Sequence, residues 1–143
     1  PYIQQYRQAW KEAGHVGTPQ VGLRVPLYVA ETAERAYDEP KASTMAAVQG
    51  LGTRVADSAP RAGTTGDWRA QADHLRHMDY DDWRRDKVVY GTPEAVVDRL
   101  EQLREELDLT QLLYEINYGR QIPFELQLKN LRMINEHVIP QLT

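Results

Sequence analysis

The chain has 143 residues, with 41% hydrophobic and 27% charged content, a balance that favours a globular fold over disorder. Its net charge of −4 and pI near 5.6 exclude a nucleic-acid surface, since Arg84, Arg85 and Lys87 are interrupted by Asp86 and preceded by Asp81 and Asp82. The absence of cysteine excludes disulfides, thiolate zinc sites and a cysteine nucleophile and fits a cytoplasmic protein, and no apolar run approaches the ~20 residues a membrane span needs.

In chain order, Tyr2, Ile3, Tyr6, Trp10 and Ala13 recur at helical spacing, so residues 1–14 are expected to form an amphipathic helix stopped at Gly14. Residues 21–30 (VGLRVPLYVA) are rich in β-branched and aromatic side chains and predict a strand, although Pro26 counts against a central position. Thr32 caps a short helix to about Asp38, and Pro40 opens a second helix to about Ala56. Residues 58–67 are the clearest loop, and 68–86 predict two short helices without a strand. Residues 87–90 (KVVY) form a short apolar strand, after which Thr92 is the expected N-cap and Pro93 the first helical residue. The helix that follows carries Val96, Val97, Leu100, Leu103 and Leu107 on one face. A second strand is expected over 111–118, and Pro123 opens a last helix with Phe124, Leu128, Leu131 and Val138 inward and Pro140 as its stop.

Strand, tight turn, amphipathic helix, short turn and strand make a βαβ unit with parallel strands. With residues 21–30 the chain is expected to be α/β, with three parallel strands each followed by helix. A (β/α)8 barrel needs five more such units and typically ~250 residues.

Three stretches carry a resemblance: residues 6–15 with 23–32 (YRQAWKEAGH, LRVPLYVAET), 88–109 (VVYGTPEAVVDRLEQLREELDL) and 112–142 (LLYEINYGRQIPFELQLKNLRMINEHVIPQL). Together they resemble the C-terminal units of luciferase-like, flavin-dependent monooxygenases, the superfamily of bacterial luciferase. Gly-Thr-Pro-Glu at 91–94 and Glu-x-Asn-x-Gly at 115–119 are the more specific elements. The resemblance implies three β/α units from the end of a TIM-type barrel. Residues 1–14 would be helix five and 21–56 strand six with its helices. Residues 57–86 would be a variable lid segment and 87–143 units seven and eight. It also implies FMN or a deazaflavin as cofactor and a small organic substrate as partner. The first half of such a barrel, with most flavin-phosphate contacts, would lie outside this chain.

Barrel chemistry sits at the C-terminal ends of the strands. Tyr90, Gly91 and Thr92 lie at one such end. There backbone N–H groups and a hydroxyl at a helix N-terminus suit an anion, while a plain N-cap after a tight turn is the simpler reading, since Thr-Pro commonly opens a helix. Glu115 and Asn117 alternate with Tyr114 and Ile116 and share one face of the last strand. They would either project into a pocket towards substrate or flavin, or form a satisfied polar layer. These five are the candidate cofactor contacts; no catalytic residue is assigned. His15, His74, His77 and His137 lack metal-site spacing, and Trp68 and Trp83 are expected to anchor short helices. No GxGxxG, P-loop or GxSxG motif is present.

Two functions follow. The chain is expected to be part of a flavin-dependent oxidoreductase, inactive by itself. The alternative is a non-catalytic barrel fragment that self-associates, as a homo-oligomer, through its exposed sheet.

Overall fold

The computed structural model describes residues 2–58, 70, 73–75 and 77–142. Among them lie α1 (Tyr2–Glu12), β1 (Gly22–Val29), α2 (Ala33–Asp38), α3 (Lys41–Ser58), α4 (Tyr80–Asp86), β2 (Val89–Gly91) and α5 (Pro93–Leu107). β3 (Gln111–Glu115), α6 (Phe124–Met133), a π-helical turn (Ile134–Val138) and α7 (Ile139–Leu142) complete the chain. The loop expected at 58–67 and Trp68 lie almost wholly outside the described residues, as does much of the 57–86 segment. No helix among the described residues is long and apolar enough to cross a membrane.

The three strands are parallel, as the βαβ pattern requires, in the order β2-β1-β3. Consecutive barrel units would put β2 in the middle; β1 stands there instead. The reason is strand length. β2 is three residues long and cannot offer β3 a full edge, whereas the eight-residue β1 serves both neighbours with different halves. Gly22–Pro26 runs beside Gln111–Glu115, and Leu27–Val29 beside Val89–Gly91.

This register explains Pro26. The backbone of Ala30 bonds towards β2, through Ala30 N to Gly91 O at 3.1 Å, so even-numbered residues of β1 face that side. The β2 ladder begins only at Leu27, and the N–H that Pro26 lacks would have pointed where no partner strand exists. A proline in a central strand is thus tolerated. On the other side β3 ends level with Pro26, leaving Leu27 O and Val29 N without a strand. The side chain of Asn130 on α6 takes both: Val29 N donates to Asn130 Oδ1 at 2.8 Å, and Asn130 Nδ2 donates to Leu27 O at 3.1 Å. Asn130 is 1% exposed, so the amide stands in for a missing stretch of strand.

One face of the sheet carries Val25, Leu27, Val29 and Val89 against Val96, Val97 and Leu100 of α5 and Ile134 and Val138 of the π turn. Each such side chain contributes about 1.5–3 kcal/mol on burial. The other face divides. Towards the strand C-termini, Tyr28, Ala30, Ala36 and Ile122 pack together, with Tyr90 against them, beside a second cluster of Val48, Met78, Trp83 and Val88. Towards the strand N-termini that face is open: Leu113 is 55% exposed and Gly22 and Arg24 are exposed.

Two expectations about the C-terminal helix are corrected. Phe124 is 67% exposed; two residues later Leu126 packs against the Tyr28 cluster in its place. Pro140 does not stop the helix. A proline ring clashes with the carbonyl four residues back, and the chain widens to a π turn in which Ile139 N bonds Ile134 O. Helix then continues to Leu142. The last strand also ends at Glu115 rather than 118. α1 ends as expected before Gly14 but buries no residue; Arg7 tethers it, donating to Leu107 O at 3.1 Å and Asp108 O at 2.9 Å.

Candidate functional site

The strand ends are covered by α2, α3, α4 and the 116–122 loop. Thr32 caps α2, its Oγ1 accepting from Arg35 N at 3.2 Å. Beneath it, Tyr28 donates its hydroxyl to Glu39 Oε2 at 2.7 Å; burial first, then the Glu39 carboxylate, pushes that phenol far above its ordinary range. Tyr80 donates to Tyr37 O at 2.7 Å, and Trp83 is 4% exposed, so both aromatics of α4 anchor it.

The five sequence candidates separate here. The Tyr90 hydroxyl lies 2.9 Å from Thr44 Oγ1, and Thr44 is wholly buried. Burial raises the Tyr90 phenol despite that hydrogen bond. Gly91 is buried because β2 and α5 approach closely: a Cβ there would stand 3.2 Å from Ala95 Cβ. Thr92 caps α5, Oγ1 accepting from Ala95 N at 3.4 Å. Asn117 turns back into its own loop, Oδ1 accepting from Ile122 N at 3.1 Å. Glu115 alone reaches open space. Its Oε2 pairs with Arg24 Nη2 at 2.9 Å, across the register in which Pro26 stands opposite Glu115.

Glu115 lines a cleft of about 590 Å³ with Arg24, Ala46, Ala47, Leu51, Arg54, Tyr118, Gly119 and Arg120. The loop wall is fixed by Ser43, 2% exposed, whose Oγ donates to Tyr118 O at 2.6 Å and accepts from Gln121 N at 2.9 Å. Gly119 has φ +87°, and a Cβ on it would lie 1.8 Å from Ser43 O, so only glycine passes there. The Tyr118 ring stacks on Trp83 at 6.4 Å and 14°. Burial and then Glu115 raise the Tyr118 phenol, while Arg54 pulls it back; the hydroxyl stays protonated and able to donate. Among the described residues, none form a group of three or more His, Asp or Glu placed to hold a metal.

The sequence reading missed Arg24, Arg54, Tyr118 and Arg120, which come from three separate segments: β1, α3 and the 116–122 loop. Only the pairing of β3 with β1 and the packing of α3 against the loop bring them together. The cleft's guanidinium donors and phenol suit an anionic group better than Tyr90 or Asn117, whose side-chain polar atoms are already engaged.

The family model for luciferase-like monooxygenases matches residues 2–110. No curated protein matches the sequence. Among solved structures, monooxygenase RslO1 from Streptomyces bottropensis superposes with a TM-score of 0.60 at 22% identity, covering 99% of this chain and 37% of that one. The oxygenating constituent of 3,6-diketocamphane monooxygenase from Pseudomonas putida, a type II Baeyer-Villiger monooxygenase in complex with FMN, gives 0.65 at 19% identity, covering 97% and 38%. The coenzyme F420-dependent tetrahydromethanopterin reductase from Methanopyrus kandleri gives 0.60 at 18% identity, covering 99% and 41%. The chain therefore spans about two-fifths of the length of these structures, and at such identities the likeness is one of fold. With the family model matched from the first helix to the start of β3, the chain belongs to the luciferase-like monooxygenase family.

Proposed function

We propose that this chain is the C-terminal part of a (β/α)8 barrel that works as a flavin-dependent monooxygenase or oxidoreductase on a small organic substrate. In this reading its strands correspond to the sixth, seventh and eighth of the barrel, with β1 here in the central place that the seventh would hold there. The family match over residues 2–110 carries the reading. The FMN and coenzyme F420 proteins of similar fold support a flavin or deazaflavin as cofactor. Bound, the cofactor supplies the redox chemistry. The chain's own groups bind and orient: Glu115 and Tyr118 face the ligand from the cleft, and the Tyr90–Thr92 turn offers backbone N–H groups at the head of α5.

The test is spectroscopic. FMN and, separately, coenzyme F420 are added to the full-length protein, and the cofactor absorption band is followed together with oxygen uptake. A shifted band with one cofactor is expected; unchanged bands with both end the reading.

A second reading has one observation behind it. Leu113, 55% exposed, sits on the open half of the sheet beside exposed Gly22 and Arg24. Two copies of the chain would bury this exposed leucine and the uncovered half of the sheet against each other. Light scattering of the isolated chain would then give a dimer that Leu113→Glu disperses, and a wild-type monomer would rule it out.

A further inference from the structure

The cleft beside Glu115 carries an imbalance of charge. Three arginines face one glutamate in its lining, leaving two positive charges on a chain whose net charge is −4. Arg24 is neutralised by Glu115 at 2.9 Å. Among the described residues, Arg54 makes one side-chain hydrogen bond, from Nε to Gly50 O at 3.2 Å. Arg120 makes no side-chain hydrogen bond or ion pair among the described residues, and neither does the Tyr118 hydroxyl. Ala46, Ala47 and Leu51, on the same helix as Arg54, add apolar lining to the cleft.

Arg120 also sits where arginine is conformationally unsuited. Its φ is +63°, a left-handed position that non-glycine residues adopt only at a cost. Glycine would relieve that cost. Backbone held in a sparsely populated region, with a free charge at its tip and a cleft in front, marks a site more than a scaffold.

We infer that this cleft binds a small organic anion, with its oxyanion between Arg54 and Arg120 and its apolar body against Ala46, Ala47 and Leu51. Guanidinium groups suit this work because their fixed forks match carboxylate and phosphate oxygens in paired hydrogen bonds, and the protonated phenol of Tyr118 adds a third donor. The oxyanion belongs either to the phosphate of a flavin or to a carboxylate on the substrate. The inference deepens the flavin reading by naming the chemistry of the ligand at the same strand ends, but it stands on the cleft's own residues.

The experiment uses the full chain at low ionic strength, where charge pairing is least screened. Inorganic phosphate, benzoate, FMN and riboflavin are titrated separately while the backbone amide signals of Gly119 and Arg120 are followed by NMR. At least one of the three anions is expected to shift them saturably. Arg54→Ala and Arg120→Gly should each weaken that binding at least fivefold, and Arg132→Ala, on the surface of α6, should not. Arg120→Gly should melt at a higher temperature than the wild type while binding less, a combination a purely structural arginine would not give; this variant carries the test if Arg54→Ala folds poorly. FMN binding that exceeds riboflavin binding assigns the oxyanion to flavin phosphate. Benzoate binding without FMN binding, together with unchanged FMN and F420 absorption bands in the spectroscopic test, assigns it to substrate, and the cleft assignment then survives while the flavin reading fails. FMN binding untouched by both arginine changes overturns the cleft assignment and leaves the flavin reading standing. No shift with any anion also overturns it.

Discussion

At Gly119 two constraints coincide: φ of +87° and a Ser43 carbonyl oxygen where a Cβ would sit, 1.8 Å away. Gly119→Ala must therefore move either the loop or α3, and we expect a loss of about 3 kcal/mol or more, measured by urea denaturation. A loss under about 1 kcal/mol would mean the Ser43 contacts are dispensable. The glycine was visible in the sequence as part of Glu-x-Asn-x-Gly, but its reason was not. Ser43 is 76 positions earlier in the chain, and no local pattern announces that a helix will press against this loop. Glu115 and Asn117 illustrate the same limit. Alternation correctly put both off the Tyr114–Ile116 face, which packs on the core; that Glu115 meets Arg24 while Asn117 folds back on Ile122 depends on where β3 stops.

Helix caps are local, and they were legible. Thr92 and Thr32 accept hydrogen bonds from the third residue beyond, as N-caps do. Thr92→Ala should cost about 1 kcal/mol, read as a lowered denaturation midpoint with an unchanged slope. Asn130 lies at the other extreme. In sequence it is one polar residue in an amphipathic helix, yet it completes β1 where β3 has ended. Asn130→Ala leaves a buried N–H and a buried C=O without partners, for an expected loss of about 2–4 kcal/mol. A result close to that of Thr92→Ala would show that water replaces the amide. Pro140 teaches a related point: the expectation that proline ends a helix assumes an α ladder, and a π turn satisfies the chain without one.

Across the molecule, the strand ends are held by buried phenols. Tyr28, Tyr80 and Tyr90 all titrate well above the ordinary 10.0, chiefly because burial opposes the charged form. A raised folded-state value means their contribution is complete below pH 10 and is lost as pH climbs towards the folded values, because the unfolded chain deprotonates first. Stability should therefore be insensitive to these groups near neutrality and fall once pH exceeds about 10. Denaturation midpoints taken at rising pH would reveal it, and Tyr80→Phe should make the fall shallower. A midpoint unchanged to about pH 11 would argue that these rings are hydrated.

The amino-acid sequence by itself determined the α/β class, the parallel direction of the strands, the helix starts and the apolar face of α5. These follow from periodicity, capping and the short βα connections, all of which act within a few residues. Only the tertiary structure decided that β1 is central, that α6 lends an amide to its backbone, and that three arginines and a tyrosine share one cleft. Strand order is a competition between edges of different length, and a three-residue β2 loses it to an eight-residue β1. Sequence spacing carries no record of that competition, so the fold class was readable and the candidate cleft was readable only at Glu115.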